Sequence, residues 1–303
     1  MKAYTDIVKH ILRSGQWKEN RTGVKCLTTF CEIFRHDMSD GFPLLTTKSI
    51  PLRLVATELE GFIQGVTSKK WFQDRGCHIW DEWANPHKVE YLEGFNKIHG
   101  PTLGFKLDRK KIQRDEDDLG PIYGQQWRAF NQCYNEDCGG WIEDDNKAAD
   151  QLKFIVNTLK TNPDDRRMVC SAWNPLQLSQ MALPPCHLLW NVQHINGTLN
   201  LVWFQRSCDL GLGVPWNISS YALLLLLLCK EANMIPGELV GVLSDCHIYE
   251  NQLENIKIQI KREPFPLPTV EITSNDIFKW THKDIKLLNY TSHAQLKLGK
   301  VAV

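Results

Sequence analysis

The chain has 303 residues, 43% hydrophobic and 10% aromatic, which is too much apolar content for a disordered chain and enough for one large core or two average ones. Lys plus Arg (35) equals Asp plus Glu (35), so no net field draws it to nucleic acid or an acidic membrane, and any anion site must be built locally from a few arginines. Ten cysteines with no CxxC pair, in a chain too large to need covalent staples, argue against a disulfide framework or a metal site and leave reduced, mostly buried thiols.

The first segment, MKAYTDIVKHILRSG, carries Ile7, Val8, Ile11 and Leu12 at helical spacing and reads as an amphipathic helix, not a signal peptide; a cytoplasmic protein is expected. Lys25 to His36 alternates β-formers and predicts a long strand, GFPLLTTK a turn, and Leu52 to Gly65 a helix. Two polar stretches, about 84–118 (containing KLDRKKIQRDEDD) and 134–146, read as surface insertions, with a helix from Asp150 to Lys160 after them. Leu188 to His194 and Thr198 to Arg206 flank Ile195-Asn196-Gly197, a strong hairpin signal. The leucine-rich run Tyr221 to Cys229 is shorter than the roughly 20 residues that cross a bilayer, and predicts a buried helix packed on the sheet. Asn217-Ile-Ser-Ser ahead of it has the hydroxyls of a helix cap. With no repeat and no linker, the expectation is one α+β domain over residues 1–303.

Five clusters carry chemistry. In Leu183-Pro184-Pro185-Cys186-His187, two prolines present a cysteine rigidly, and Arg206 lies across the hairpin, where positive charge would favour a thiolate. Gln205 to Asn217 (QRSCDLGLGVPWN) packs Arg206, Ser207, Asp209, Gly213 and Asn217 into a strand-to-helix loop. There Asp209 suits an amino-pyrimidine ring, and the Asn217 carboxamide suits the O4 and N3–H edge of uracil. Asp164-Asp165-Arg166-Arg167, with the arginines on opposite faces if extended, and Arg21 are candidates for a phosphate. His247 and Tyr249 would share one face of a strand, within reach of a sugar hydroxyl, and Trp80 and Trp83 suit stacking on a flat ligand. Glu58, in an apolar helical stretch, is a carboxyl able to manage protons. Taken singly, each has an ordinary structural explanation in core packing, turn chemistry or a surface ion pair.

Their conjunction is specific. PPCH, QRSCDxxLGxPxN, DxRR, DxHIY, IWDEW, GPxYGxQWR and GFPLLTTK occur together, and over nearly its whole length the chain resembles the thymidylate synthase family. The resemblance implies a large mixed β-sheet with helices on one face, the sheet serving homodimerisation. It implies that Cys186 attacks C6 of dUMP and that 5,10-methylenetetrahydrofolate is the co-substrate, with no metal. Arg21, Gln205, Arg206 and Ser207 would hold the nucleotide, Arg166 and Arg167 would reach it from the neighbouring subunit, Asn217 would read uracil, and His247 with Tyr249 would take the ribose. Glu58 and Tyr123 would handle protons. Lys48, Trp80, Trp83, Leu183, Asp209, Gly213, Trp216 and Ala302 would lie toward the folate, Ala302 within a Val-Ala-Val end that looks like a closing tail.

Departures cluster near Glu58. The usual Glu-Leu-Leu-Trp-Phe reads Glu58-Leu59-Glu60-Gly61-Phe62, Pro51 stands for a histidine, Trp216 for a phenylalanine, and Thr291-Ser292-His293-Ala294 for a proline-flanked histidine. Replacing a buried tryptophan by glycine leaves a void costing about 3–5 kcal/mol unless something fills it. A wetter, more acidic pocket there would favour a deoxyuridylate hydroxymethylase, in which water traps the methylene at C5. A third reading is an inactive nucleotide- or RNA-binding homologue.

Overall fold

The structure is a computed structural model that describes residues 1–20, 23–83, 117–132, 134–135, 140–141, 148–296 and 298–299. Its helices are α1 (Lys2–Ser14), α2 (Leu52–Gln64), α3 (Lys69–Gln73), α4 (Tyr123–Arg128), α5 (Gln151–Thr161), α6 (Gly213–Ala232) and α7 (Leu253–Gln259). Its strands are β1 (Gln16–Lys18), β2 (Cys26–Asp37), β3 (Tyr134–Asn135), β4 (Gly140–Trp141), β5 (Val169–Ser171), β6 (His187–Ile195), β7 (Thr198–Asp209), β8 (Ile235–Tyr249), β9 (Thr269–Ile272) and β10 (Ile285–Leu288). Contacts divide the chain into one unit of Met1–Leu59, Val156–Val169 and Cys186–Val303, and a second of Glu60–Ile155 and Cys170–Pro185.

The chain forms a mixed sheet of order β1-β2-β8-β7-β6-β5, with β7 and β8 parallel and β1–β2, β2–β8 and β6–β7 antiparallel. The expected hairpin is present: Ile195 pairs with Thr198, and Asn196 and Gly197 take φ of 49° and 83°. Positive φ at both central residues is the twist that a two-residue loop between right-handed strands requires.

Alternation gives the sheet two unlike faces. Trp190, Trp203, Gly241 and Phe34 stand opposite one another across β6, β7, β8 and β2, and the three aromatic side chains are fully buried. Gly241 makes this possible, since a Cβ there would lie 2.5 Å from the Trp203 ring. One residue along each strand, Leu189, Phe204, Val242 and Ile33 form a parallel row on the other face. There Ile33 is 50% exposed and Leu189 37%.

Helix α6 is long and apolar enough to cross a membrane by length and composition, yet most of it is buried within the fold, as a core helix would be. It begins at Gly213, earlier than expected. Asn217, Ser219 and Ser220 therefore lie inside it instead of capping it, and the Ser219 hydroxyl donates to the Pro43 or Pro215 carbonyl, both 3.2 Å away. The entry turn is held by Asp209, whose Oδ1 accepts the Gly211 and Leu212 N–H groups at 2.8 and 3.2 Å. Asn233, at φ 54°, ends the helix in the left-handed conformation.

Arg166 and Arg167 lie in turns ahead of β5, so the opposite-face argument for a strand does not apply to them. Their placement follows from Asn162-Pro163-Asp164-Asp165, a run rich in turn formers.

In the second unit, the Phe62 ring packs on Tyr123 (centroids 4.9 Å apart), Trp127 (5.7 Å) and Trp80 (6.5 Å). Gly124 is required for the crossing of α4 over α2, because a Cβ would come within 2.9 Å of the Phe62 Cα. The Arg128 guanidinium ties the same region together, donating to the Ile63 carbonyl at 2.6 Å and to both Asp150 carboxylate oxygens. Most of the first expected insertion lies outside the described residues; within the second, β3 and β4 pair antiparallel.

Candidate active site

Cys186 occupies the bend just before β6 and is half-buried. Its carbonyl accepts the Arg206 N–H at 2.8 Å, so the hairpin register sets Arg206 directly across from it. The adjacent His187 faces Tyr221. It is buried, its Nδ1 lies 2.7 Å from the Tyr221 hydroxyl, and burial pushes it down to about 3, so the ring is neutral at physiological pH. Cys208 and Cys246, opposite each other in β7 and β8, are fully buried, and burial raises the Cys208 thiol far above its ordinary range. Among the described cysteines, Cys31 is exposed and Cys186 half-buried, and the others are buried.

Three residues beyond Trp203 in reach, though not all adjacent in sequence, form a polar relay at the end of β7. Gln205 Oε1 accepts the Trp203 indole N–H at 3.2 Å, while its Nε2 donates to Asn217 Oδ1 and to the Ser207 carbonyl, each at 3.0 Å. This fixes which way the Asn217 carboxamide points, leaving Oδ1 a second lone pair and Nδ2 two donors. Gln205 is 1% exposed, whereas Arg206, Ser207 and Asn217 are half-buried.

Asp209 does more than the sequence suggests. Besides holding the turn ahead of α6 through Oδ1, it accepts Gln252 Nε2 at 3.3 Å through Oδ2. Beside it Lys48, 3% exposed, donates to the Gly211 carbonyl, and burial lowers its ammonium to about 8. Lys48, which the resemblance sets toward a folate tail, is thus buried with its ammonium on the backbone.

His247 and Tyr249 share a face of β8 as expected, with ring centroids 5.0 Å apart. Asp245, two residues earlier on that face, opens the DxHIY motif, but sequence reasoning gave it no role. Its Oδ1 lies 3.3 Å from His247 Nδ1, and it accepts Thr28 Oγ1 at 2.8 Å and Lys18 Nζ at 2.7 Å. The hydrogen bond to His247 is the first cause holding its carboxyl well below the usual range. The period of two in a strand was the available signal.

Glu58 is 7% exposed and its Oε2 accepts the Trp216 indole N–H at 2.7 Å. Arg166 and Arg167 are exposed, and Arg167 forks onto Asp165, which its guanidinium holds down to about 2. Arg21 and Ala302 lie outside the described residues.

In the second unit Trp80 and Tyr123 are buried, while Trp83 and Leu183 are half-buried. The expected void at Gly61 is not there: a Cβ on Gly61 would stand 2.4 Å from the Phe72 ring and 3.3 Å from Trp71. Phe72 itself fills the space. Glu60 is also accommodated, with Gln64 Nε2 at 3.3 Å and Arg75 Nε at 3.9 Å, and the Arg75 guanidinium lies 3.7 Å above the Trp71 ring. Among the described residues no group of three or more His, Cys, Asp or Glu could hold a metal ion.

A mixed sheet that sets a cysteine across from an arginine, with a glutamine-held asparagine on the following helix, is the frame of an α+β protein with a polar site at one end of its strands. The chain matches the family Thymidylate synthase over residues 2–303 and belongs to that family. It is 43% identical over 301 residues to a bifunctional dihydrofolate reductase-thymidylate synthase of Paramecium tetraurelia, an alignment covering 99% of this chain and 61% of that protein. The chain therefore spans about six-tenths of the length of this curated relative.

Proposed function

We propose that this chain is a thymidylate synthase, a one-carbon transferase that methylates dUMP to dTMP and works as a single family domain. The observation that carries the reading is the Gln205–Asn217 hydrogen bond beside the Cys186–Arg206 pairing, which supports a uracil-reading amide next to a nucleophile. Cys186 Sγ adds to C6 of the ring, and the electron pair displaced from the C5–C6 bond is carried toward O4. Asn217 Nδ2 donates there, while Oδ1 accepts N3–H. Arg206, Ser207 and Arg21 hold the phosphate, and His247 and Tyr249 the ribose, with Asp245 orienting the imidazole. Glu58 manages the proton at O4, and Tyr123 takes the proton leaving C5.

The co-substrate is 5,10-methylenetetrahydrofolate, which supplies the one-carbon unit and a hydride when bound. The donor set fits a flat, polar-edged ligand. Asp209 keeps acceptor capacity after its contacts to Gly211, Leu212 and Gln252, and Trp80 buries an indole N–H with no partner among the described residues. Gly213 and Trp216 on α6, and Trp83 and Leu183, complete the folate assignments. Lys48, which donates to the Gly211 carbonyl, lies toward the folate glutamate. The hydroxymethylase reading rested on a wetter, more acidic pocket; Phe72 fills the space at Gly61 and Arg75 lies 3.9 Å from the added acid Glu60, and neither favours it.

The protein works as a homodimer, supported by the apolar row of exposed Leu189 and Ile33 with half-buried Phe204 and Val242 between them, which a second copy would cover. Arg166 and Arg167, exposed in this chain, then serve the neighbouring subunit's phosphate. Sedimentation should give a dimer, and Phe204→Asp a monomer without turnover; a fully active monomer would refute this part. The enzymatic reading is tested by incubating the protein with dUMP and methylenetetrahydrofolate. Dihydrofolate appearing by absorbance, with dTMP by mass, is the expected result. A hydroxymethylated nucleotide without dihydrofolate would reverse the choice of reaction.

A further inference from the structure

Glu58 reaches its proposed task on a flexible side chain with three rotatable bonds, and a proton-handling carboxylate is only as effective as its orientation is fixed. Its Oε2 receives the Trp216 indole N–H at 2.7 Å, the length of a charge-assisted hydrogen bond. Trp216 is half-buried, and its ring is a rigid donor with only two rotatable bonds. The next residue on α6 is Asn217, whose carboxamide is held by Gln205. One helical turn therefore carries both the donor that grips Glu58 and the amide proposed to read the base, so the distance between those functions is set by consecutive Cα atoms of a buried helix. A phenylalanine at 216 could fill similar apolar space but has nothing to donate.

We propose that Trp216 is a positioning residue: its indole N–H orients the Glu58 carboxylate and registers it against Asn217, so that proton handling at the pyrimidine is coupled to recognition of its edge. The proposal rests on the synthase reading for its catalytic meaning. The decisive measurement is a double-mutant cycle of Trp216→Phe and Glu58→Gln, with kcat and KM for dUMP followed separately. Trp216→Phe should lower kcat about ten- to a hundredfold, the scale of a misplaced catalytic group, and leave KM for dUMP within about twofold. In the Glu58→Gln background it should add almost nothing. Losses that multiply in the double variant, or an unchanged kcat in Trp216→Phe, would overturn the proposal, because Trp216 would then act by packing or not at all. A second readout is independent of turnover: the Trp216 indole proton, assigned by its absence in Trp216→Phe, should resonate at low field and move upfield in Glu58→Gln. An unaltered protein that is inert toward dUMP would sink the synthase reading, whereas an indole resonance indifferent to Glu58→Gln would sink this one.

Discussion

Glu58 and Gly61 stand three residues apart in one helix, yet their surroundings work by different physics. Glu58 is oriented by a directional hydrogen bond from Trp216, and its neighbourhood holds further polar contacts of the same kind, Gln205 to Asn217 and Asp209 to the α6 entry. Gly61 is held by shape: the Phe72 ring occupies the place of any side chain, and Arg75 covers Trp71 beside it. Removing a donor from the first region misaims a group without leaving a large hole. Adding atoms to the second forces close-packed rings apart. Changes near Glu58 should therefore be read in rates and changes near Gly61 in stability.

The largest effect that tests this division is at Cys186. Cys186→Ala should reduce kcat about 10⁴-fold or more, while its urea midpoint stays within measurement error of the parent. An equally large fall in stability would show that the thiol is part of the packing after all. Next, Gly61→Trp should cost about 3 kcal/mol or more by overpacking, read from urea denaturation. Phe72→Ala in the same chain should recover most of that loss, and a tolerated Gly61→Trp would mean that the Phe72 packing is not what excludes a side chain.

Lys48 gives a smaller effect that depends on pH. Its folded value, about 8, lies below that of an unfolded lysine. Between those two values the native state has released the proton and the unfolded chain has not, so stability from this group rises with pH across the window. The rise should be roughly 2 kcal/mol between pH 8 and 10, and Lys48→Met should flatten it. Parallel pH profiles for the two proteins would show that the ammonium is not desolvated in the folded state.

Much of the frame was legible before any coordinates. The amphipathic α1, the long β2, the Asn196-Gly197 hairpin and the leucine-rich α6 all follow from period and turn chemistry, which act over a few residues. The pairing of His247 with Tyr249 followed from the period of two. Where sequence reasoning slipped, a distant partner had altered the local outcome. Asn217-Ile-Ser-Ser looked like a cap, but the helix starts at Gly213, after a turn that Asp209 holds through the Gly211 and Leu212 N–H groups. For Arg166 and Arg167 the sequence argued only what an extended backbone would do, and the preceding Asn-Pro-Asp-Asp run makes turns instead.

By itself, then, the sequence determined the family, the α+β class and the set of candidate side chains for the chemistry, because residue type and short-range spacing are written directly in the chain. Only the tertiary structure decided which of those side chains are held and by what. Trp216 grips Glu58 across 158 positions, Lys48 meets Gly211 across 163, and Phe72 enters the space above Gly61 by shape alone. Such contacts depend on distances between elements that no local pattern encodes, and they turn a conspicuous glycine from a void into a close-packed contact.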